Sequence, residues 1–97
     1  MINWFDARES QQFGTSLANF FMERVPPNLD GKKAVAMNKK KEVLGKMFMQ
    51  IIKFKSEHRM NVYKKAKLGN AFKWKLRDAG YDSAFVDELT KTLMLKL

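Results

Sequence analysis

The stretch VLGKMFMQIIKF, residues 43–54, carries the strongest helical pattern in this chain of 97 residues. Its apolar residues recur with the three- and four-residue spacing of one helix face, and together they span about half of the circumference. An ordinary surface helix needs an apolar stripe only a little wider than about 100°. We therefore expect this helix to be central, packed on two sides or buried in a dimer. The face consists of Val43, Leu44, Met47, Phe48, Ile51, Ile52 and Phe54.

Gly45 lies inside this stretch and lacks a side chain, which predicts the close approach of a neighbouring element. On the C-terminal side, the sequence leaves open whether the helix continues through residues 58–61. Asn61 suits the N-cap of a new helix, and His58 and Arg59 suit the end of the preceding one. The apolar face of the next segment consists of Leu68, Phe72, Leu76 and Ala79.

Gly80 predicts the end of that segment, because glycine readily adopts the left-handed conformation that closes a helix. Leu76 and Tyr81 occupy the positions whose side chains meet in a Schellman motif. A last helix then begins after Asp82 or Ser83, either of which suits an N-cap. Its apolar residues recur in phase at Val86, Leu89, Leu93 and Leu97.

On the N-terminal side, Asp6 and Glu9 have the spacing of a capping box. The helix that follows should stop near Arg24, because Pro26 disfavours the α conformation of the residue before it. Residues 25–31 then form a linker-like turn. The sequence thus predicts an all-α fold, a single domain over residues 1–97 built as a compact bundle of three to five helices with no strand. The apolar face of the first helix consists of Phe13, Leu17, Phe20 and Phe21.

Length and composition exclude several classes of protein. A chain with 45% hydrophobic residues is too apolar for a disordered basic tail, and its length suits one core. The absence of Cys removes disulfide scaffolds, Cys-based zinc sites and thiol chemistry. No apolar run approaches the ~18 residues that span a bilayer, and the N-terminus lacks the pattern of a secretory signal. We therefore expect a cytoplasmic protein and no membrane association.

Enzymatic activity is not expected from these residues. His58 is the single histidine, and Glu57, the nearest carboxylate in sequence, points about 100° away from it on a helix. No Gly-rich phosphate loop and no nucleophile elbow is present. Because His58 falls on the same helix face as Ile51 and Phe54, we interpret it as a partly buried packing residue. We predict no catalytic residue, no cofactor and no metal site.

The formal net charge of +9 is unevenly distributed along the chain. Residues 31–77 hold thirteen Lys and two Arg against two Glu, which gives +13, whereas residues 1–30 and 78–97 each carry −2. This pattern has two interpretations. The basic middle forms a surface for a polyanion, or the acidic ends of the same chain fold back and pair with it.

The segment 63–77 carries aromatic and basic residues on the face opposite to its apolar residues. Aromatic rings interleaved with cations suit nucleic acid, because bases stack on the rings while Lys and Arg contact phosphates. The alternative is that the two rings pack against another helix while the lysines extend to water. The candidate nucleic-acid contacts are Tyr63, Lys64, Lys67, Asn70, Lys73, Trp74 and Arg77.

Twelve aromatic residues and seven Met exceed what one small core readily hides, so we expect a helical interaction protein that binds partners and self-associates. The expected surface is the wide apolar face of residues 43–54, or else the end of the chain at Trp4 and Phe5. The alternative function is non-specific nucleic-acid binding through the segment 63–77. The candidate self-association residues are Leu44, Met47, Phe48, Ile51 and Ile52.

Two segments resemble parts of a group of small bacterial proteins that have no assigned activity. The run from Val62 to Leu97 is similar to the C-terminal third of those proteins, and the stretch from Trp4 to Glu9 also resembles them. The resemblance implies a bacterial cytoplasmic protein. It contributes no catalytic or binding residues.

Overall fold

The computed structural model describes residues 6–26 and 33–97, with the side chains of the second range described from residue 40 onward. These residues form four helices, and no strand occurs within the described ranges. The prediction of an all-α helical bundle is confirmed. Most of the turn predicted at 25–31 lies outside the described residues. The helices are α1 (Arg8–Arg24), α2 (Lys33–Glu57), α3 (Val62–Asp78) and α4 (Ser83–Met94).

The boundary between α2 and α3 follows from a side-chain cap. The Asn61 side chain accepts a hydrogen bond from the backbone N–H of Lys64 at 2.8 Å, so α2 and α3 are separate helices. The carboxylate of Asp82 caps α4 in the same way, accepting from the Phe85 N–H at 3.0 Å. Both N-cap residues are ones that the sequence predicts at these positions.

The predicted Schellman motif closes α3. Gly80 has a φ of +95°, and its N–H donates to the Arg77 carbonyl at 3.1 Å. The N–H of Tyr81 donates to the Leu76 carbonyl at 3.2 Å, which completes the pattern. The chain thereby reverses within a few residues, and α4 starts beside the end of α3.

The capping box predicted at Asp6 and Glu9 is wrong. Helix α1 begins one residue later than that box requires, and its N-cap, Ala7, makes no side-chain cap. The Asp6 carboxylate instead accepts from the backbone N–H of Arg8 at 3.2 Å and from its guanidinium at 2.9 Å. The side-chain hydrogen bond from Arg8 is the main reason that the pKa of Asp6 falls to about 2.

Helix α1 packs chiefly against α3, and Gly14 makes this contact possible. Gly14 is buried, and a Cβ atom placed there would overlap the carbonyl oxygen of Leu68 and lie 3.2 Å from the Cβ of Ala71. The close approach predicted at Gly45 does not occur among the described residues, none of which has an atom within 4 Å of a Cβ at that position. Gly45 is exposed on α2, so the glycine that brings helices together is the one in α1.

All four helices contribute to one cluster of buried side chains. From α2, Val43, Met47 and Ile51 enter this core, with Phe54 at its edge. Fully buried aliphatic and aromatic side chains contribute most of the stability of such a core, at about 1.5–3 kcal/mol each. The remaining large members include Leu17 and Phe21 from α1, Leu68, Phe72 and Leu76 from α3, and Val86, Leu89 and Leu93 from α4.

Tyr81 connects the end of α1 to the turn between α3 and α4. Its hydroxyl donates a hydrogen bond to the carbonyl of Val25, which is the C-cap residue of α1. Its ring lies 5.7 Å from that of Phe21. Burial of the phenol raises the pKa of Tyr81 above its usual value.

Within the described residues, no helix combines the length and the apolar character that crossing a bilayer requires.

Candidate functional site

The outer face of α3 lies at the surface, as its sequence pattern predicts. Trp74 is 56% exposed, and Asn70 beside it is also exposed. The other predicted contacts, which are half-buried, are Tyr63, Lys64, Lys67, Lys73 and Arg77. Because Leu68, Phe72 and Leu76 direct the opposite face of α3 into the core, these residues face outward together. We call this set the α3 outer face.

Each aromatic ring of the α3 outer face has a cation beside it. The Lys67 ammonium lies 5.4 Å from the centroid of the Tyr63 ring, and the Arg77 guanidinium lies 5.3 Å from that of Trp74. Both distances are within the range of a cation–π interaction. The Trp74 ring is the larger and more exposed of the two, so it presents the better stacking platform.

Asp87 of α4 pairs with two cations of the α3 outer face. Its Oδ1 atom lies 3.0 Å from Arg77 Nη2 and 3.4 Å from Lys73 Nζ. Glu9 Oε2 of α1 lies 2.9 Å from His58 Nε2, a contact that is an ion pair only when the imidazole is protonated. The acidic C-terminal end of the chain therefore folds back onto its basic middle at Asp87.

Several lysines of α3 nevertheless have no acidic partner in the described part of the chain. Lys65, Lys67 and Lys75 make no ion pair with any described residue. Lys64 donates to a neutral group, the Arg59 carbonyl, at 3.3 Å. The surface of α3 is therefore strongly positive even after Asp87 has paired with Lys73 and Arg77.

A shallow groove runs between α3 and α4 at the edge of this face. The groove has a volume of about 350 Å³, with largely apolar walls, and the side chains of Asn70 and Lys73 contribute to its lining. Gly69 forms part of the floor, where the Sδ of Met94 would lie 3.0 Å from a Cβ atom. The other residues that line the groove are Val62, Lys65, Ala66 and Thr90.

The structure separates the predicted self-association residues of α2 into two groups. Met47 and Ile51 are fully buried in the core of the chain, so they are withdrawn from any surface between copies. Leu44 and Phe48 are half-buried against the same core, whereas Ile52 is 56% exposed. Most of the wide apolar face is thus buried within one chain. The other expected surface, at Trp4 and Phe5, lies outside the described residues.

The sequence reasoning missed Met49, which is 68% exposed on the same helix. Met49 and Ile52 form a short apolar stripe between two small residues, Gly45 and Ser56, and all four are exposed. The four residues follow the helical spacing i, i+4, i+7, i+11, which is the signal that could have identified this stripe. We call it the α2 stripe.

His58 is a packing residue in the geometry observed. Its ring stacks on Phe54 at 4.1 Å, and Phe54 stacks on Phe13 of α1 at 4.2 Å. Its Nδ1 lies 3.1 Å from the Phe54 carbonyl oxygen, and its Nε2 lies 2.9 Å from Glu9. Both ring nitrogens are therefore engaged within the fold. No group of His, Asp and Glu among the described residues has the arrangement of a metal site.

No protein-family model, no curated protein and no solved structure matches the chain, so the resemblance of its C-terminal run to small bacterial proteins stays a prediction.

Proposed function

We propose that this protein binds nucleic acid without sequence specificity, through the α3 outer face. The observation that carries the proposal is the exposed indole of Trp74 on a helix rich in Lys and Arg. Stacking of a base on an aromatic side chain contributes about 1–3 kcal/mol and tolerates any base. The surrounding cations supply the attraction to phosphates.

The geometry favours a single strand over a duplex. Trp74 can stack only on a base whose face is accessible, and the bases of a duplex are covered by their neighbours. The apolar groove between α3 and α4 lies beside Asn70 and offers space for another unstacked base. A duplex would use the lysines alone, so we expect it to bind more weakly.

The first experiment measures binding of a dT oligonucleotide of about 15 nucleotides, a length within the range of known single-strand sites. Trp4→Phe is introduced first so that the emission reports on Trp74. We expect quenching on binding, and a loss of affinity with salt whose logarithmic slope is about −3 if four phosphates are contacted.

The matched variants are Trp74→Ala and Leu95→Ala. Both remove an exposed apolar side chain, but Leu95 lies at the end of α4, outside the α3 outer face. We expect Trp74→Ala to weaken binding about tenfold, which corresponds to ~1.4 kcal/mol of stacking, and Leu95→Ala to leave it unchanged. Absence of retardation of the oligonucleotide at about 50 mM salt, where charge attraction is strong, would overturn the proposal.

A second candidate function is self-association through the α2 stripe. The spacing of Gly45, Met49, Ile52 and Ser56 reads the same in both directions, with small residues outside and large apolar residues inside. An antiparallel pairing about a two-fold axis would therefore place Met49 against Ile52 of the second copy, and Gly45 against Ser56. The open space over Gly45 leaves room for such a close approach.

The α2 stripe predicts a weak dimer. It is about 17 Å long, so it buries much less than the ~800 Å² per partner of a stable interface. Sedimentation velocity over a wide range of concentration tests it, with Met49→Ser/Ile52→Ser as the variant and Val62→Ser, on α3, as the control. We expect the double variant alone to remove the dimer. A wild-type chain that stays monomeric at the highest concentration contradicts this candidate.

A further inference from the structure

The ion pairs of Asp87 lie directly beside the proposed stacking platform. The Arg77 guanidinium lies 5.3 Å from the centroid of the Trp74 ring and 3.0 Å from Asp87 Oδ1. Lys73 Nζ approaches the same oxygen at 3.4 Å. One carboxylate oxygen of α4 is thus held by two cations of α3, and one of those cations also contacts the exposed indole.

The two cations are less exposed than the carboxylate that they hold. Their side chains are partly buried, with 27% of Arg77 and 32% of Lys73 exposed, whereas the Asp87 side chain is 53% exposed. The Nε atom of Arg77 is buried and has no hydrogen-bond partner in the described structure. Arg77 therefore keeps one donor unsatisfied while its outer nitrogen is occupied by Asp87.

We propose that Lys73 and Arg77 form the phosphate subsite for the nucleotide whose base stacks on Trp74, and that Asp87 occupies this subsite in the free protein. The proposal rests on the proposed function of the α3 outer face. A phosphodiester oxygen replaces Asp87 Oδ1 between the same two donors, and the displaced carboxylate becomes hydrated. The planar guanidinium suits this exchange because it binds carboxylate and phosphate in the same geometry.

The exchange is feasible because Asp87 is held at the surface. An ion pair with an exposed partner is weak, since water solvates the exposed carboxylate and salt screens the pair. A carboxylate of one negative charge is therefore a modest competitor of a nucleic-acid strand, which offers many phosphates. Asp87 reduces affinity without abolishing it, and its removal tightens binding.

An alternative role for Asp87 is purely structural, as a staple that holds α4 against α3. Such a role predicts that its loss weakens the fold and leaves or lowers affinity. The phosphate subsite predicts the opposite effect on binding. The sign of the change in affinity distinguishes the two roles, and thermal unfolding of the same variants checks that each is folded.

The test compares Asp87→Asn with Glu88→Gln. The two variants remove the same charge from adjacent positions of α4, but Glu88 makes no ion pair with a described residue. Binding is measured with the dT oligonucleotide, with an abasic oligonucleotide of equal length, and with inorganic phosphate. We expect Asp87→Asn to tighten binding of both oligonucleotides about three- to tenfold, and Glu88→Gln to change it less than twofold.

Combining the variants shows whether the gain in affinity from Asp87→Asn acts through Lys73 and Arg77. In a Lys73→Gln/Arg77→Gln background the gain from Asp87→Asn should disappear, because the two donors that the carboxylate occupies are gone. Trp74→Ala should weaken binding of dT and leave the abasic strand unchanged. Free phosphate should compete only at high concentration, whereas tight competition by it would assign the subsite to a small anion.

The outcomes for the two proposals are separable. If neither the wild type nor Asp87→Asn binds the oligonucleotides, the proposed function and the subsite both fail. If the wild type binds but Asp87→Asn and Glu88→Gln have equal effects, nucleic-acid binding stands and the subsite is overturned. Persistence of the Asp87→Asn gain in the Lys73→Gln/Arg77→Gln background overturns it as well.

Discussion

Two glycines in the middle of helices have opposite surroundings in this protein. Gly14 of α1 lies against the backbone of α3, where a Cβ atom would overlap the Leu68 carbonyl. Gly45 of α2 faces open space. The first is part of a closed contact within the chain, and the second lies at one end of the exposed α2 stripe. A helical glycine indicates close approach only when the partner is known, so the sequence alone could not distinguish them.

The largest expected effect is that of Gly14→Ala. The added methyl group has no room against Leu68 and Ala71, and α1 would have to move away from α3. We expect a loss of about 2–3 kcal/mol of unfolding free energy, which is typical of overpacking in a core. Chemical denaturation monitored by circular dichroism measures it. An unchanged midpoint would show that the α1–α3 contact is not close in solution.

Tyr81→Phe tests how the C-terminal end of α1 is held to the turn between α3 and α4. It removes the hydrogen bond to the Val25 carbonyl, and we expect a loss of about 1–2 kcal/mol, since the buried carbonyl is left unsatisfied. Burial raises the pKa of Tyr81 in the folded state. The contribution of its protonated hydroxyl to the free energy of unfolding is therefore fully present below the pKa of tyrosine in the unfolded chain, which is ~10. That contribution is lost as the pH rises through the higher pKa of the folded state.

The pH dependence of that prediction has its own control. Wild type and Tyr81→Phe share Tyr63 and all the lysines, so the difference between their alkaline unfolding profiles isolates Tyr81. We expect the two stabilities to converge as pH rises above ~10. A difference that is constant across this range would contradict the assignment of the raised pKa to the buried hydroxyl.

Gly45→Ala tests the exposed glycine of the pair, and it is compared with Gly14→Ala. The new methyl group meets no atom and raises helix propensity, so we expect a gain of about 0.5–1 kcal/mol. The same denaturation experiment measures this change, and Gly14→Ala is its matched partner. A loss of stability at low protein concentration would mean that Gly45 is covered within one chain.

The smallest expected effect on monomer stability is that of Met49→Ser/Ile52→Ser. Both side chains are mostly exposed, so at a concentration where the chain is monomeric we expect a change within about 0.5 kcal/mol per site. The measurement is again the denaturation midpoint. A larger loss would place these residues in the core and remove the α2 stripe as a surface for a second copy.

The helix boundaries were predictable because their signals are local. Asn61, Gly80 and Asp82 each act on backbone groups within about four residues, so the amino-acid type at one position nearly determines the structure. The capping box failed because Ala7, and not Asp6, is the N-cap of α1, and the Asp6 carboxylate pairs with the Arg8 side chain. The contact of Glu9 with His58 is long-range, and the sequence does not show that these residues meet.

In the candidate sites, too, local features were predictable from the sequence and long-range contacts were not. The α3 outer face was predictable because Leu68, Phe72 and Leu76 determine which side of α3 points inward. The α2 stripe has a regular helical spacing, but apolar residues on α2 exceed what one face holds, so the spacing by itself does not say which of them the core takes. The pairing of Asp87 with Lys73 and Arg77 required the turn between α3 and α4 to be known.

The packing of α1 on α3, rather than on its neighbour in sequence, also has a consequence for synthesis. Gly14 and Leu68 are separated by roughly fifty residues, which a ribosome adds in about 3–10 s. During that interval the face of α1 that packs against α3 lacks this partner, and the helix made in between offers it Phe54 as a contact for Phe13. The α1–α3 contact is therefore expected to form late in synthesis, once α3 has emerged.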